Sequence, residues 1–259
     1  MELSKSASAL GLYKYDCDHP PSELFRRFHT TIAGLFEACG VALTHFGAEG
    51  RGYSDKLSKI SGRMYENMLR TEFAGLSGIS LLANPPESNA PAYDSFASAT
   101  LNYVEVNREL LACIVVNEAF MRLRTPEYDS LLRSLVELYL WDFGYGFSSS
   151  IEKQPEFHIL GLDNGKLSAE EYQSLSTWYS APGEVRRMLL RDVYPYNVLN
   201  EVQLDTQISK GMTLRQFAES QLGCSLIKLT GDGLYLWQVP DAQVARLREV
   251  LFGSAVMLA

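Results

Sequence analysis

Between Leu189 and Leu199 the chain reads Leu-Leu-Arg-Asp-Val-Tyr-Pro-Tyr-Asn-Val-Leu, the densest concentration of chemistry in the sequence. Arg191 and Asp192 supply a charge pair, and Tyr194, Tyr196 and Asn197 supply hydrogen-bonding tips. Apolar residues close both ends. Tyr and Arg are favoured where proteins bind one another, and the same residue types build buried polar networks that fix a chain crossing. Pro195 keeps Tyr194 out of helical geometry, so the segment must turn. Arg191, Asp192, Tyr194, Tyr196 and Asn197 are therefore expected to form a structural motif, with a ligand or partner site as the alternative.

Glu156 and His158 stand two apart in a run expected to be a strand, which puts them on one face. A carboxylate that orients an imidazole is how general bases are built, and Asp192 is the third group an enzyme would draw on. The bland alternative is a satisfied histidine beside a solvated carboxylate. Asp16, Cys17, Asp18 and His19 crowd one N-terminal stretch. They offer one Cys and one His, with no second pair at the spacing a zinc site needs. Gly144-Tyr145-Gly146-Phe147 followed by Ser148, Ser149 and Ser150 resembles a phosphate cradle only superficially. Such a loop needs a lysine directly after its glycines and a helix opening there, and Lys153 comes too late. The glycines are expected to end a helix instead. No catalytic, cofactor-binding or metal-ligating residue is expected, and no cofactor.

Composition bounds the class. The chain has 259 residues, 46% hydrophobic and 21% charged, as an ordered globular protein has. One compact unit built from residues 1–150 and 151–259 is expected. No apolar run approaches the roughly 20 residues of a membrane span. The first residues lack an apolar stretch of signal-peptide length, so a cytoplasmic location is expected, without a membrane partner. Cys17, Cys39, Cys113 and Cys224 form no Cys-x-x-Cys and are expected to be free thiols. Net charge is −8, and residues 71–184 account for it with 16 acidic and 6 basic groups. Nucleic acid would be repelled from such a surface, whereas a basic protein partner would be attracted. Solubility accounts for the charge equally well. The candidate partner-binding residues, by charge and position, are Glu87, Asp94, Glu127, Asp129, Glu152, Glu170 and Glu171.

The elements that must position these groups are legible in part. Leu24, Phe25, Phe28, Ile32, Leu35 and Phe36 predict an amphipathic helix over 22–39, with Ser22 as its N-cap. Residues 54–70 predict a second. Strands are predicted at 41–46, 79–83, 95–106 and 110–117, and again at 156–162. Thr125-Pro126 opens a helix in the favoured order, expected to run to Gly144. Further helices are predicted at 168–178, 213–222 and 240–252. A hairpin is predicted from 225 to 239 across Gly231-Asp232-Gly233. Three strand signals in a row, joined by short turns, predict an α+β fold: a mostly antiparallel sheet packed by amphipathic helices, its second half a weaker echo of the first.

The order of elements resembles that of bacterial immunity proteins found beside polymorphic and type VI secreted toxins, the subset beside nuclease toxins most of all. The resemblance rests on the helix over Glu23–Cys39, the Gly144–Gly146 glycines, the Tyr194–Leu199 block and the final hairpin and helix over Leu226–Phe252. Arg191–Asn197 departs from the pattern expected of that family. The resemblance implies a cytoplasmic inhibitor that occludes a cognate protein toxin with a basic surface, without a catalytic site of its own. An enzyme using Glu156, His158 and Asp192 is one alternative. A structural or ligand-binding subunit of a bacterial assembly is another.

Overall fold

A computed structural model of the chain describes residues 3–54, 56–85, 95–163, 165–166, 168–231 and 233–257, without the side chains of Glu170 and Glu171. Its first half runs β1 (Ser6–Lys14), α1 (Ser22–Ala38), β2 (His45–Gly50), β3 (Ser58–Lys59), α2 (Arg63–Arg70), β4 (Leu76–Ala83), β5 (Ala97–Val104), β6 (Glu109–Asn117), α3 (Pro126–Val136) and β7 (Phe143–Ser150). Then come α4 (Pro155–Leu160), α5 (Ala169–Ser180), α6 (Gly183–Met188), β8 (Tyr196–Asn200), α7 (Glu201–Asp205), β9 (Gln207–Ser209), β10 (Met212–Thr213), α8 (Leu214–Ser220), β11 (Ser225–Lys228), β12 (Leu234–Gln238) and α9 (Asp241–Leu251).

Among the described residues, one sheet of 10 strands holds the order β11-β12-β8-β7-β1-β6-β5-β4-β2-β3, and its pairings are antiparallel. The fold is α+β, as the strand-turn-strand signals predict. Period-two patterning sorts its two faces. Ala97, Ala99, Leu101 and Tyr103 of β5 are buried and alternate with half-buried Ser98, Thr100 and Asn102. The buried set points to a front face, where Leu10, Leu12, Ile79, Leu81, Ile114 and Val198 join it. The helix α1 covers this layer with Leu24, Phe25, Phe28, Ile32 and Phe36, and α3 adds Tyr128, Leu131, Leu132 and Leu135. Each such side chain contributes about 1.5–3 kcal/mol by leaving water.

The back face divides into three regions. Over β7, β1 and β6 lies an aromatic layer of Tyr13, Tyr15, Phe143, Tyr145, Trp178 and Tyr194, closed by α4 and α5. Over β8 and β12 lies a second apolar core, in which Leu199 and Trp237 meet Leu204, Leu214, Phe217, Leu247 and Leu251 from α7, α8 and α9. Over β5, β4 and β2 the face is lined by small and polar side chains and forms a groove.

Several expectations are corrected. The helix α1 is preceded by Pro21 as its cap residue, not Ser22, with no side-chain cap bond. The second helix is confined to α2, and the strand predicted at 41–46 lies at β2 instead. The helix α3 does open at Thr125, whose side chain accepts from Tyr128 N. It stops at Val136, eight residues before Gly144, because the chain there is pulled towards β1. Trp141 Nε1 donates to Leu135 O at 2.8 Å, and Asp142 accepts from Tyr15 N at 2.7 Å and pairs with Lys14 at 2.9 Å. Gly144 and Gly146 sit inside strand β7. A Cβ at Gly144 would lie 2.5 Å from Gly11 O, and one at Gly146 2.5 Å from Tyr128 Oη, so only glycine fits. The strand predicted at 156–162 is the short helix α4. Pro155 stands in its first turn and Gly161, with φ +72°, ends it.

Candidate functional site

The residues singled out in the sequence converge on α4. This helix lies across β1 and β6 on the back face, so close that a Cβ on Gly11 would meet Ile159 Cγ2 at 2.9 Å. Its last carbonyls gather donors. Tyr13 Oη and Tyr179 Oη each donate to Ile159 O at 2.6 Å. Arg191 Nη1 donates to His158 O at 2.8 Å and to Tyr145 Oη. A guanidinium at a helix C-terminus answers the partial negative charge of the free carbonyls.

Arg191 is only 8% exposed. It stacks over the Tyr145 and Tyr179 rings, 5.4 Å from each centroid. Burial works against its charge, but the oxygens of Tyr145, Tyr194, Tyr179 and Tyr13 hold it above the usual arginine range. Burial likewise pushes the Tyr13 and Tyr145 phenols well up, so the cation sits among neutral hydroxyls. Asp192 turns away from its sequence neighbour. It accepts from Arg248 Nε at 2.5 Å and from Val193 N at 2.7 Å. The expected Arg191–Asp192 pair is thus two separate contacts. Consecutive residues in extended chain point to opposite sides, and each side has its own partner.

The rest of the segment fixes the crossing into β8. Asn197 Oδ1 accepts from Tyr194 N at 2.9 Å and its Nδ2 donates to Tyr194 O at 2.6 Å, closing the turn that Pro195 enforces. Tyr194 stacks on Tyr145 with centroids 4.2 Å apart, and Tyr196 Oη donates to Asp129 at 2.5 Å. Both tyrosines are buried. The cavity beside them, bordered by Arg191, Tyr194 and Asn197, measures about 10 Å³, the space of a single water at most.

Glu156 and His158 do not share a face, because two residues along a helix are about 200° apart. His158 Nε2 bonds Tyr194 Oη at 2.9 Å and packs on Phe147 with centroids 5.1 Å apart. Burial first, then the nearby Arg191 and Arg248 cations, lower its pKa to about 3. Burial raises the pKa of Glu156. Their placement does not form a carboxylate–imidazole pair. Asp16 and Asp18 both bind Arg108, at 3.0 and 3.1 Å, and His19 Nδ1 bonds Pro20 O. Among the described residues no three His, Cys, Asp or Glu side chains are grouped to hold a metal ion, and no helix is long and apolar enough to cross a membrane.

The seven acidic candidates are distributed over the molecule. Glu127 and Asp129 lie on α3, over the front face, with Glu127 exposed and Asp129 engaged by Tyr196. Glu152, also exposed, lies in the 3-10 turn leading to α4, on the side of the back face. Glu170 and Glu171 belong to α5, whose Trp178 packs on that back face. Glu87 and Asp94 lie outside the described residues.

An open feature escaped the sequence reading. On the back face, β2, β4 and β5 line a groove of about 190 Å³, with Gly47, Gly78, Ser80, Thr100, Glu49 and Asn102 around it and Leu57 as a wall. Ser80 and Thr100 hydroxyls bond each other at 2.9 Å. The signal was present in Gly47 and Gly78, since a lone glycine in a strand pattern marks a place where something approaches the backbone.

No protein-family model matches the chain, and no curated protein sequence matches it. Among solved structures, the chain is similar to one described as "Pseudomonas aeruginosa T6SS protein PA0821", at 12% sequence identity and a TM-score of 0.61, over 97% of this chain and 77% of that one. At this identity the likeness is one of fold.

Proposed function

We propose that this chain is an immunity-type inhibitor that binds and occludes a secreted antibacterial toxin, a nuclease with a basic surface, in the cytoplasm of the cell that makes it. The observation that carries this proposal is the fold, shared over nearly the full chain with a protein described as belonging to a type VI secretion system. The character of the sites supports it. The residues with the most reactive chemistry are engaged in holding α4, whereas the groove on the back face is open to a partner. Net charge supports it too, since −8 on the inhibitor complements a surface built to hold nucleic-acid phosphate. Occlusion requires shape and charge, and no chemical step.

The test is co-expression with the product of the adjacent gene. Rescue of growth and co-purification of a complex are expected. The association rate should fall as salt rises, because screening cuts the reach of exposed charges to about 8 Å at physiological ionic strength. Absence of both rescue and complex, or turnover of a substrate by this chain alone, would overturn the proposal.

A further inference from the structure

Three apolar side chains left in water meet at one end of the sheet, where three loops come together. The β5–β6 turn offers Val104 and Val106, the latter 93% exposed, and the α3–β7 connection offers Leu140, 63% exposed. Turns favour Gly, Pro, Asn and Asp, so a valine at the tip is not there to shape the chain. The β1–α1 connection lies between the other two loops. Arg108 reaches Asp16 at 3.0 Å and Asp18 at 3.1 Å, and Cys17 N donates to Arg108 O at 3.0 Å. Tyr103 Oη donates to Cys17 O at 3.2 Å. On the other side Asp142 accepts from Tyr15 N at 2.7 Å and its own N donates to Tyr13 O at 2.8 Å, which brings Leu140 alongside. Arg27 of α1 donates to Glu137 O at 3.2 Å and to Leu138 O at 3.5 Å, fixing the third loop. Since β1 lies between β7 and β6, about two strand spacings, roughly 10 Å, separate the Leu140 side from the Val106 side. Asp16, Asp18, Glu105 and Glu137 stand around these residues, all exposed. Arg108 answers the first two, whereas among the described residues Glu105 and Glu137 have no ion-pair partner. Four acidic groups against Arg27 and Arg108 leave a net charge of −2. The groove over β2, β4 and β5 is a poorer seat, because the Asn102 and Glu49 side chains already fill the space over Gly78.

We infer that this end of the sheet, centred on Val106 and Leu140, docks on a basic protein partner, the toxin of the proposed inhibitor role on which the inference rests. Apolar centre meets apolar centre, and lysine or arginine side chains of the partner face Glu105 and Glu137 at the rim. Exposed apolar patches rimmed by polar groups mark protein interaction sites. Charge selects the class of partner, because unpaired carboxylates at the rim draw cations in and reject a like-charged surface. A second copy of this chain is the poorer occupant, since a two-fold contact would bring Glu105 and Glu137 up against their own counterparts. The ties among the three loops hold the surface in shape before binding, so little ordering entropy is lost on docking.

The test is a binding measurement between the purified chain and the product of the adjacent gene. Val106→Asp combined with Leu140→Ser removes the apolar centre and should weaken the complex about 100-fold, chiefly through faster dissociation. Glu105→Lys combined with Glu137→Lys reverses the rim and should slow association about tenfold at low salt, the difference shrinking as salt rises. Glu152→Lys, an exposed charge on the side of the back face, is the control and should bind as the parent does. The substituted side chains are exposed, so each variant should keep the parent's unfolding midpoint, and Val106→Asp alone serves if a double variant does not. If the complex forms and both double variants bind as tightly as the parent, the inhibitor role stands and this surface falls. Equal slowing by Glu152→Lys would assign the effect to overall charge and overturn the rim. A parent chain that forms no complex overturns the role and the surface together. A dimer of this chain that Val106→Asp dissolves would assign the face to a second copy and overturn the inference as well.

Discussion

Replacing Arg191 with Met asks whether a buried cation without a carboxylate stabilises this fold. The guanidinium makes two charge-assisted hydrogen bonds, to His158 O and Tyr145 Oη, each worth about 1.5–3 kcal/mol. Its position over two tyrosine rings adds roughly 0.5–2 kcal/mol. Removing it also leaves His158 O without that donor at the end of α4. Against these losses stands relief of the desolvation penalty, several kcal/mol for a buried ion. Methionine keeps the stem packing. No anion is stranded by the change, which places the net cost below that of breaking a buried ion pair, at about 2–4 kcal/mol. In a chain of this size each kcal/mol moves Tm by about 2–4 °C, so a fall near 10 °C is expected. Urea unfolding with m unchanged is the assay, with Tyr145→Phe as a companion that loses only the hydroxyl. A Met variant as stable as the parent would refute the reasoning. It would mean that desolvation cancels the hydrogen bonds and that apolar contacts alone hold α4.

The contrast with the neighbouring residue is the next prediction: Asp192→Ala should cost about 1 kcal/mol or less, since its pair with Arg248 is half-exposed, and a loss comparable to Arg191→Met would contradict it. His158 predicts a pH dependence. Its folded pKa near 3 lies below the roughly 6.5 of an unfolded histidine, so between those values only the unfolded chain binds the proton. Stability should be almost unaffected by this residue at pH 7 and fall by about 2 kcal/mol on going from pH 7 to pH 5. His158→Gln should flatten that slope, and equal slopes in urea unfolding would count against the assignment. Gly144→Ala should cost about 1–3 kcal/mol or more, because its Cβ would collide with backbone at Gly11 O. Gly47→Ala, which meets only ordinary contacts at 3.5 and 3.6 Å, should cost under 1 kcal/mol, both variants being measured by urea unfolding. Equal losses at the two glycines would undo the packing account.

Legibility in the sequence followed the strength of local patterning. The stripe from Leu24 to Phe36 and the alternation from Ala97 to Tyr103 repeat often enough to fix element type and buried face. The closing hairpin carries its own turn signal in its glycines, and Val244, Leu247 and Leu251 mark the inner face of α9. Strand β1 was missed because Ser-Ala-Ser-Ala alternates without large residues, and its burial comes wholly from neighbours on both sides. Helix α4 was misread because Phe157, Ile159 and Leu160 are too few to show a period, although Pro155 and Gly161 bracketed it. In β7 the glycines looked like a helix end because a Tyr128 hydroxyl and the Gly11 carbonyl, the atoms that require them, come from distant parts of the chain. The candidate site fared similarly. Arg191, Tyr194 and Asn197 were visible as a dense motif, but Tyr13 and Tyr179, which complete the ring of hydroxyls, are brought in by the sheet and by α5. Glu49 and Asn102 lie 53 positions apart and become neighbours only through strand register.

Strand β1 occupies the middle of the sheet, paired with β6 on one side and β7 on the other. During synthesis this has a temporal consequence. This strand leaves the ribosome with neither partner yet in existence, and must wait for residues 109–150 to follow. At about 5–20 residues per second that wait is on the order of 7–27 s. Only in its last third can the β2–β4–β5 ribbon assemble on its own, and for the whole of it Ala7–Tyr13 remains an unpaired apolar strand with two open edges. Such a segment invites pairing with a neighbouring nascent chain or capture by a chaperone. Yield in the cell should therefore respond to anything that shields these residues or delays their exposure, including a bulky N-terminal fusion, even where the finished protein's stability does not change.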